Sequence, residues 1–190
     1  MTKSISELLD TAGVQAVAVI RGIEDGQLGQ RTPCSEYDVR ALVNHLTQVV
    51  VQFQALAVKQ DAEFGETPDA VGRGDDWRDR FGEETRRLAA AWGEPGAEEG
   101  TTGAMNFPAR TVGHMVLGDL AVHAWDLARA TGRDHVIEPV VLTELVSAYE
   151  GLAPAARQAG VIGEPVAVPA DAPEQDRLLG ALGRDPHWRP

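Results

Sequence analysis

The sequence contains a single cysteine, Cys34, and it has no long apolar run. One thiol cannot close an intrachain disulfide, and it cannot supply the cysteine clusters that hold structural zinc. No uninterrupted apolar segment approaches the roughly 20 residues that span a bilayer, and the first residues do not resemble a signal peptide. These absences predict a cytoplasmic protein that does not associate with a membrane.

Positive charge is also scarce, because 17 Lys and Arg face 29 Asp and Glu, which gives a formal net charge of -12. No basic cluster is present that would attract the phosphates of a nucleic acid. The sequence also lacks a P-loop, a dinucleotide glycine fingerprint and a serine nucleophile elbow. We therefore expect no nucleic-acid partner and none of those enzyme classes.

The apolar residues repeat at helical intervals, which predicts an all-α fold. A chain of 190 residues can form one domain with its own core, here a bundle over about 1–160 and a C-terminal extension over 161–190. Turn and cap signals divide the chain into five long helices and one short helix. Their predicted ranges are about 4–25, 35–53, 75–92, 107–132, 139–160 and 172–182.

The second helix has the clearest pattern. Ser35 is a candidate cap after the restricted Thr32-Pro33-Cys34 turn, with Glu36 and Asp38 in the first turn of the helix. A continuous apolar stripe follows, with His45 at its edge. The stripe consists of Val39, Leu42, Val43, Leu46, Val49, Val50 and Phe53.

A carboxylate and an imidazole interrupt the apolar fourth helix at Asp119 and His123. Residues four apart lie on one face of a helix, one turn from each other, and on this helix that face points into the bundle. Burial of both groups costs free energy unless they are bound. The pair predicts two ligands of a divalent metal ion, although a hydrogen-bonded pair within the helix explains the same spacing.

His45 can add a third ligand at the groove between the second and fourth helices. Three protein ligands leave one position open on a zinc-like ion, where water or a thiol can bind with a lowered pKa. Asp126 is expected to support a ligand rather than to bind the ion, or to form an ion pair with Arg129 or Arg133. His114, His135 and His187 are expected to be ordinary packing or surface residues.

Cys34 has two interpretations. At a helix entrance its pKa could be lowered by the helix dipole, which is how reactive thiols arise. The alternative is a small buried apolar residue that fixes the turn.

Three segments carry a family resemblance. Residues 32–46 (TPCSEYDVRALVNHL), residues 119–132 (DLAVHAWDLARATG) and the ending 176–188 resemble the DinB-like metal-binding proteins. Within that group, the chain is similar to the N-terminal domains of mycothiol-dependent maleylpyruvate isomerases. The resemblance covers nearly the whole chain.

The resemblance implies an up-and-down helical bundle that holds a divalent ion, commonly zinc, on His45, Asp119 and His123. Asp119 stands where the isomerase relatives have Glu, so the carboxylate arm is one methylene shorter. The isomerases also carry an additional C-terminal domain that helps to build the substrate site, and we expect no such domain within these 190 residues.

The resulting functional hypothesis is a metal-dependent transferase or isomerase-like enzyme that joins mycothiol, or a similar small thiol, to an electrophilic small molecule. The competing hypothesis is a non-enzymatic bundle whose ion stabilises the fold or binds a ligand without turnover. In a third interpretation no metal binds, and the protein acts through protein contacts. A homodimer is compatible with the sequence, which does not locate its surface.

Overall fold

The protein is described by a computed structural model that covers residues 3–104 and 106–190. Six helices and one small hairpin are present in these residues, which confirms the all-α prediction. The helices are α1 (Ile5–Arg21), α2 (Val39–Ala57), α3 (Trp77–Trp92), α4 (Ala109–Ala130), α5 (Pro139–Gln158) and α6 (Glu174–Ala181). The antiparallel strands β1 (Thr101–Thr102) and β2 (Phe107–Pro108) form the hairpin.

Helix α1 begins as predicted and ends earlier than predicted. Ser4 accepts a hydrogen bond from the Glu7 N–H, and the Glu7 side chain accepts one from the Ser4 N–H, which forms a capping box. The helix ends at Arg21 rather than near Asp25, because Gly22 closes it and a short 3₁₀ turn follows.

The predicted cap of α2 is wrong. Ser35 lies in a tight turn, in which the Tyr37 N–H donates to the Cys34 carbonyl over 3.0 Å. The Thr32 hydroxyl closes this turn by contacting the carbonyl oxygens of Cys34 and Tyr37 at 2.9 and 2.8 Å. Asp38 caps the helix instead, since its carboxylate accepts a hydrogen bond from the Ala41 N–H.

Helices α1 to α4 form a four-helix bundle in which α1 and α2 each pack against both α3 and α4. The ring order is therefore α1, α3, α2, α4. The ends of α1 and α4 lie together, because Arg133 donates to the Val19 carbonyl, whereas the end of α1 meets the start of α3 through the Arg21–Asp79 ion pair. Helices α1 and α4 thus run one way, and α3 runs the other way.

Helices α2 and α3 run in the same direction, so the expected up-and-down order is wrong at this step. The segment over residues 58–76 returns the chain along α2 before α3 begins. Glu63 bonds to Gln52, and Thr67 bonds to Gln48, closer to the start of α2. A long return segment thus replaces the short loop that an up-and-down bundle would have.

The return segment is fixed to α2 by a buried amide, that of Asn44. Its nitrogen donates to the Asp69 carboxylate, and its oxygen accepts from the Val71 N–H, both at 3.0 Å. Arg40, one turn earlier, forms an ion pair with the same carboxylate at 2.5 Å. This anchor brings the segment to the first turns of α2, beside His45.

Helix α5 packs on the outside of α4, and α6 packs on α5. The C-terminal extension then returns to α4, where the Trp188 carbonyl accepts a hydrogen bond from Arg129. Consequently α4 is covered on all sides, and even Trp125, which lies opposite His123 on the helical wheel, is only 3% exposed. Among the described residues, no helix combines the length and apolarity that crossing a bilayer requires.

We predict that Asn44→Ala lowers the free energy of unfolding by about 1–3 kcal/mol, because the buried Val71 N–H then has no acceptor. Urea denaturation measures this change. Gln48→Ala is the matched control on the same helix, since it removes only the exposed bond to Thr67 and should change the stability by less than about 0.5 kcal/mol. Equal effects of the two substitutions would contradict the role of Asn44 as the anchor.

Candidate metal centre

The three predicted ligands come together in one cleft between α2 and α4, which we call the metal cleft. His45 lies in the second turn of α2, and Asp119 and His123 lie one turn apart on α4. Their candidate ligand atoms are all within 4.8 Å of one another. His123 Nε2 is 3.8 Å from Asp119 Oδ1, and the two imidazole rings are perpendicular with centroids 5.3 Å apart.

The donor set and its spacing fit a zinc ion. Two imidazoles and one carboxylate are the ligands of many catalytic zinc sites, at about 2.0–2.2 Å from the ion. Tetrahedral ligand atoms at such distances are about 3.4 Å apart, so the 3.8 Å separation of His123 and Asp119 requires only a small adjustment. That the three residues bind a metal remains a prediction.

The orientation of His123 is fixed by Asp126. The Nδ1 atom of His123 is 2.9 Å from Asp126 Oδ2, and the Asp126 side chain has no exposed surface. The other ring nitrogen therefore faces Asp119 and His45. A carboxylate that binds the far nitrogen of a metal-ligating histidine fixes the ring and raises its basicity.

Asp126 pairs with an arginine that the sequence did not indicate. Arg129 and Arg133 were the expected partners, but they bind elsewhere, to Asp134 and to Thr131. Arg184, which follows α6, donates to Asp126 Oδ2 over 3.1 Å. Its side chain is 10% exposed, so this is a buried ion pair between α4 and the C-terminal extension.

The electrostatic surroundings keep His45 neutral at pH 7. Burial, together with a smaller effect of the neighbouring His123, lowers the pKa of His45 to about 4. Partial burial raises the pKa of Asp119, which is still 30% exposed, whereas His123 and Arg184 oppose that rise. A bound cation would favour the neutral imidazole as a ligand and the ionised carboxylate.

Two phenols lie near the candidate ligands. Tyr37 stacks on His45 with ring centroids 5.1 Å apart, and Tyr149 of α5 packs against Gly118. A Cβ atom at Gly118 would lie 2.2 Å from the Tyr149 hydroxyl, so this position must be glycine for the ring to fit. Burial is the main cause that raises the pKa of both tyrosines. Both therefore keep their hydroxyl protons at neutral pH.

Cys34 lies on the other side of His123. Its sulfur is within 4.8 Å of one ligand atom each on His123 and Asp126, but it is not grouped with His45 and Asp119. The prediction of a lowered thiol pKa is wrong, because α2 begins beyond this residue and burial raises the pKa of Cys34. Arg184 opposes this rise, but burial is the larger effect.

The remaining histidines lie outside the metal cleft. His114 contacts Glu144 of α5 at 2.8 Å, which makes it a packing residue between α4 and α5. His135 lies in the loop before α5, and His187 is in the exposed tail. Among the described residues, only the metal cleft and the group of Cys34, His123 and Asp126 bring three His, Cys, Asp or Glu ligand atoms within 4.8 Å of one another.

We predict that Arg184→Met weakens zinc binding about 10–100-fold, because Asp126 then orients His123 less firmly. The same change should lower the unfolding free energy by about 3 kcal/mol, since it leaves a buried carboxylate without its cation. A competition titration with a chelating dye and urea denaturation measure the two effects. Arg189→Met, an exposed change in the same tail, should leave both unchanged.

A double variant separates the two effects. Arg184→Met combined with Asp126→Leu should recover stability, because apolar side chains replace a buried ion pair. Zinc binding should stay weak, since His123 Nδ1 then lacks its acceptor. Full recovery of zinc binding in the double variant would contradict an orienting role for Asp126.

Comparisons with known proteins identify relatives of this chain. Two uncharacterised proteins of Mycobacterium tuberculosis, from strains CDC 1551 / Oshkosh and ATCC 25618 / H37Rv, are each 28% identical to the chain over 181 residues. Each alignment covers 88% of this chain and 90% of the relative. No solved structure matches significantly. Residues 9–128 match the model of the mycothiol maleylpyruvate isomerase N-terminal domain, and the chain therefore belongs to this family.

Proposed function

We propose that the protein is a zinc-dependent S-transferase that joins a small thiol, mycothiol in the first instance, to small electrophiles. The observation that carries this proposal is the convergence of His45, Asp119 and His123 in one cleft, with ligand atoms within 4.8 Å of one another. Family membership supports the choice of a mycothiol-type thiol.

An open coordination position is central to the proposal. Asp126 is the nearest additional carboxylate, but it already holds His123 Nδ1 and Arg184 on the far side of the ring. It could not become a fourth ligand without breaking this buried ion pair. The Asp119 side chain is 30% exposed, so the ligand cluster is connected to solvent. Three ligands and access from solvent are typical of a catalytic zinc site.

The proposed reaction converts a thiol and an electrophile R–X into a thioether and HX. The thiol proton is lost, the sulfur lone pair forms the S–C bond, and X leaves with the electrons of the C–X bond. A zinc ion held by the three ligands would favour the loss of the thiol proton, because coordination lowers the pKa of a thiol. Catalytic groups for the later steps are not assigned.

The residues of the chain would contribute orientation and hydrogen bonding. Asp126 would hold His123 in its ligating position. The protonated hydroxyls of Tyr37 and Tyr149 near the candidate ligands are suitable donors to an anionic leaving group or to a polar part of the thiol. Tyr37 also packs on His45 and limits the movement of that ring.

The non-enzymatic alternative is less well supported by the geometry. A purely structural zinc site has four protein ligands and is closed to solvent. Cys34 is the remaining side chain near His123 that could become a fourth ligand. Its sulfur is close to His123 and Asp126, but it is not in the group formed by His45, Asp119 and His123.

We predict that the purified protein, reconstituted with zinc, binds about one ion per chain and conjugates mycothiol to an alkyl bromide. His45→Ala and His123→Ala should lose zinc and conjugation together, because each removes one of three ligands. Elemental analysis measures the bound zinc. With a bimane-bearing alkyl bromide as the electrophile, the fluorescence of the thioether product measures conjugation. His114→Ala is the matched control, since that histidine lies on α4 outside the metal cleft and should retain both. A chain that binds no zinc would refute the proposal, and zinc binding without conjugation would favour the non-enzymatic alternative.

We predict different outcomes for two changes at Asp119. Asp119→Asn removes the negative charge at nearly constant size and should abolish tight zinc binding, because a neutral amide is a poor zinc ligand. Asp119→Glu keeps the charge, lengthens the carboxylate arm by one methylene and should retain zinc. The chelator competition titration distinguishes them, and equal affinities of the two variants would show that Asp119 is not a ligand.

A further inference from the structure

Helix α1 presents an exposed stripe with opposite charges at its two ends. Asp10 lies at one end and Arg21 at the other, and Val14, 67% exposed, lies between them with the half-buried Val17 and the exposed Ala18. Because Val14 is exposed, its side chain does not pack in the hydrophobic core of its own chain. The stripe lies beside a groove between α1 and α3 that encloses about 340 Å³.

Helix α3 completes the charge pattern along the same groove. Asp79 forms an ion pair with Arg21 at 3.1 Å, and Arg86 lines the groove together with Asp10. Each end of the face therefore carries one carboxylate and one guanidinium. We call this surface, defined by Asp10, Val14, Val17, Arg21, Asp79 and Arg86, the α1–α3 face.

The α1–α3 face is complementary to itself after a half turn. Positions 10 and 21 are equidistant from a point between Gln15 and Ala16, and so are positions 14 and 17. An antiparallel copy of α1 centred there places Asp10 against Arg21 and Val14 against Val17. The same rotation brings Arg86 opposite Asp79 on α3. In a two-fold interface each contact occurs twice, so this arrangement forms four ion pairs around a valine cluster.

We propose that the α1–α3 face binds a second copy of this chain, antiparallel and related by a two-fold axis. Two chains of formal charge -12 repel each other over most of their surfaces. The two Asp and two Arg that define the α1–α3 face balance, so these four residues add no net repulsion where two such faces meet. The alternation of sign favours a copy in this orientation over a partner of uniform charge.

The glycines of the groove are explained without a partner. A Cβ atom at Gly13 would lie 2.6 Å from the Thr85 side chain, and one at Gly82 would lie 3.4 Å from Val17. These residues allow α1 and α3 to approach each other within one chain. The inference therefore rests on the exposed Val14 and on the order of the charges.

Three of the four tryptophans are buried and provide no alternative dimer surface, whereas Trp188 is half-buried in the C-terminal extension. Trp77, Trp92 and Trp125 are each at most 5% exposed. The α1–α3 face is also opposite the α2–α4 side of the bundle, where the metal cleft lies. Pairing through the α1–α3 face would thus leave both metal clefts open to small molecules.

Sedimentation velocity of the full chain over a range of concentrations tests the interface. The wild-type chain should reach twice the monomer mass of 20.3 kDa, and Val14→Glu should weaken dimerisation at least about tenfold by placing charge in the apolar centre. Val161→Glu, a change of an equally exposed valine in the C-terminal extension, should dimerise like the wild type. A wild-type chain that stays monomeric at all concentrations overturns the proposal, as does a Val14→Glu dimer of unchanged affinity.

A charge exchange tests the antiparallel register. Asp10→Arg alone and Arg21→Asp alone should each weaken the dimer, because each leaves an excess of one sign where the two chains meet. The double variant should dimerise better than either single variant, since Arg at 10 then faces Asp at 21 of the other chain. In a parallel arrangement each position faces its own copy, so the exchange would restore nothing. A double variant that dimerises no better than the single variants overturns this register.

Discussion

The buried carboxylate of Asp126 is the constraint on which the arrangement of the site depends. It has no exposed surface, and its free energy of burial must be offset by hydrogen bonds to charged or polar donors. His123 and Arg184 supply them from two different parts of the chain. One carboxylate therefore fixes both the direction of a candidate metal ligand and the position of the C-terminal extension. The extension is part of the site's support, although none of its residues is a candidate ligand.

The two halves of the site are held by different means. On α4, His123 is oriented by the Asp126 ion pair. On α2, His45 is held between Tyr37, which the Thr32 hydroxyl fixes in its turn, and His123. Asn44 meanwhile anchors the return segment beside the same helical turn. The Thr-Pro-Cys turn and Asn44, both within the motif over residues 32–46, thus position the backbone segments that surround His45.

Sequence reasoning was most reliable where a pattern is local. The apolar stripe of α2 and the start of α1 each lie within a single helix, and both were predicted from the local sequence. The proximity of His45 to Asp119 and His123 was expected from helix faces together with the family resemblance. Arg184 was not, because no periodicity relates a residue after α6 to one on α4, and nearer arginines were equally suitable partners. The direction of α3 was also missed, since its cause is the path of an irregular segment.

The N-cap of α2 was predicted at Ser35 but lies at Asp38, although both residue types are suitable caps. Ser35 and Asp38 are both good cap residues, and the choice between them depends on the turn that Thr32 closes three residues earlier. The same turn determines the environment of Cys34. Once the helix begins at Val39, the thiol is removed from the helix terminus, and burial governs its pKa. The position of the helix start thus decides between the two interpretations of the cysteine, in favour of a buried residue with a raised pKa.

The central claim is that His45, Asp119 and His123 bind one zinc ion with a position left open for a thiol. X-ray absorption at the zinc edge, recorded before and after addition of mycothiol, tests this claim most directly. The account predicts a first shell of nitrogen and oxygen atoms without sulfur, and the appearance of a zinc–sulfur distance of about 2.3 Å when the thiol is added. A sulfur ligand before addition, or a first shell that the thiol does not change, would contradict it.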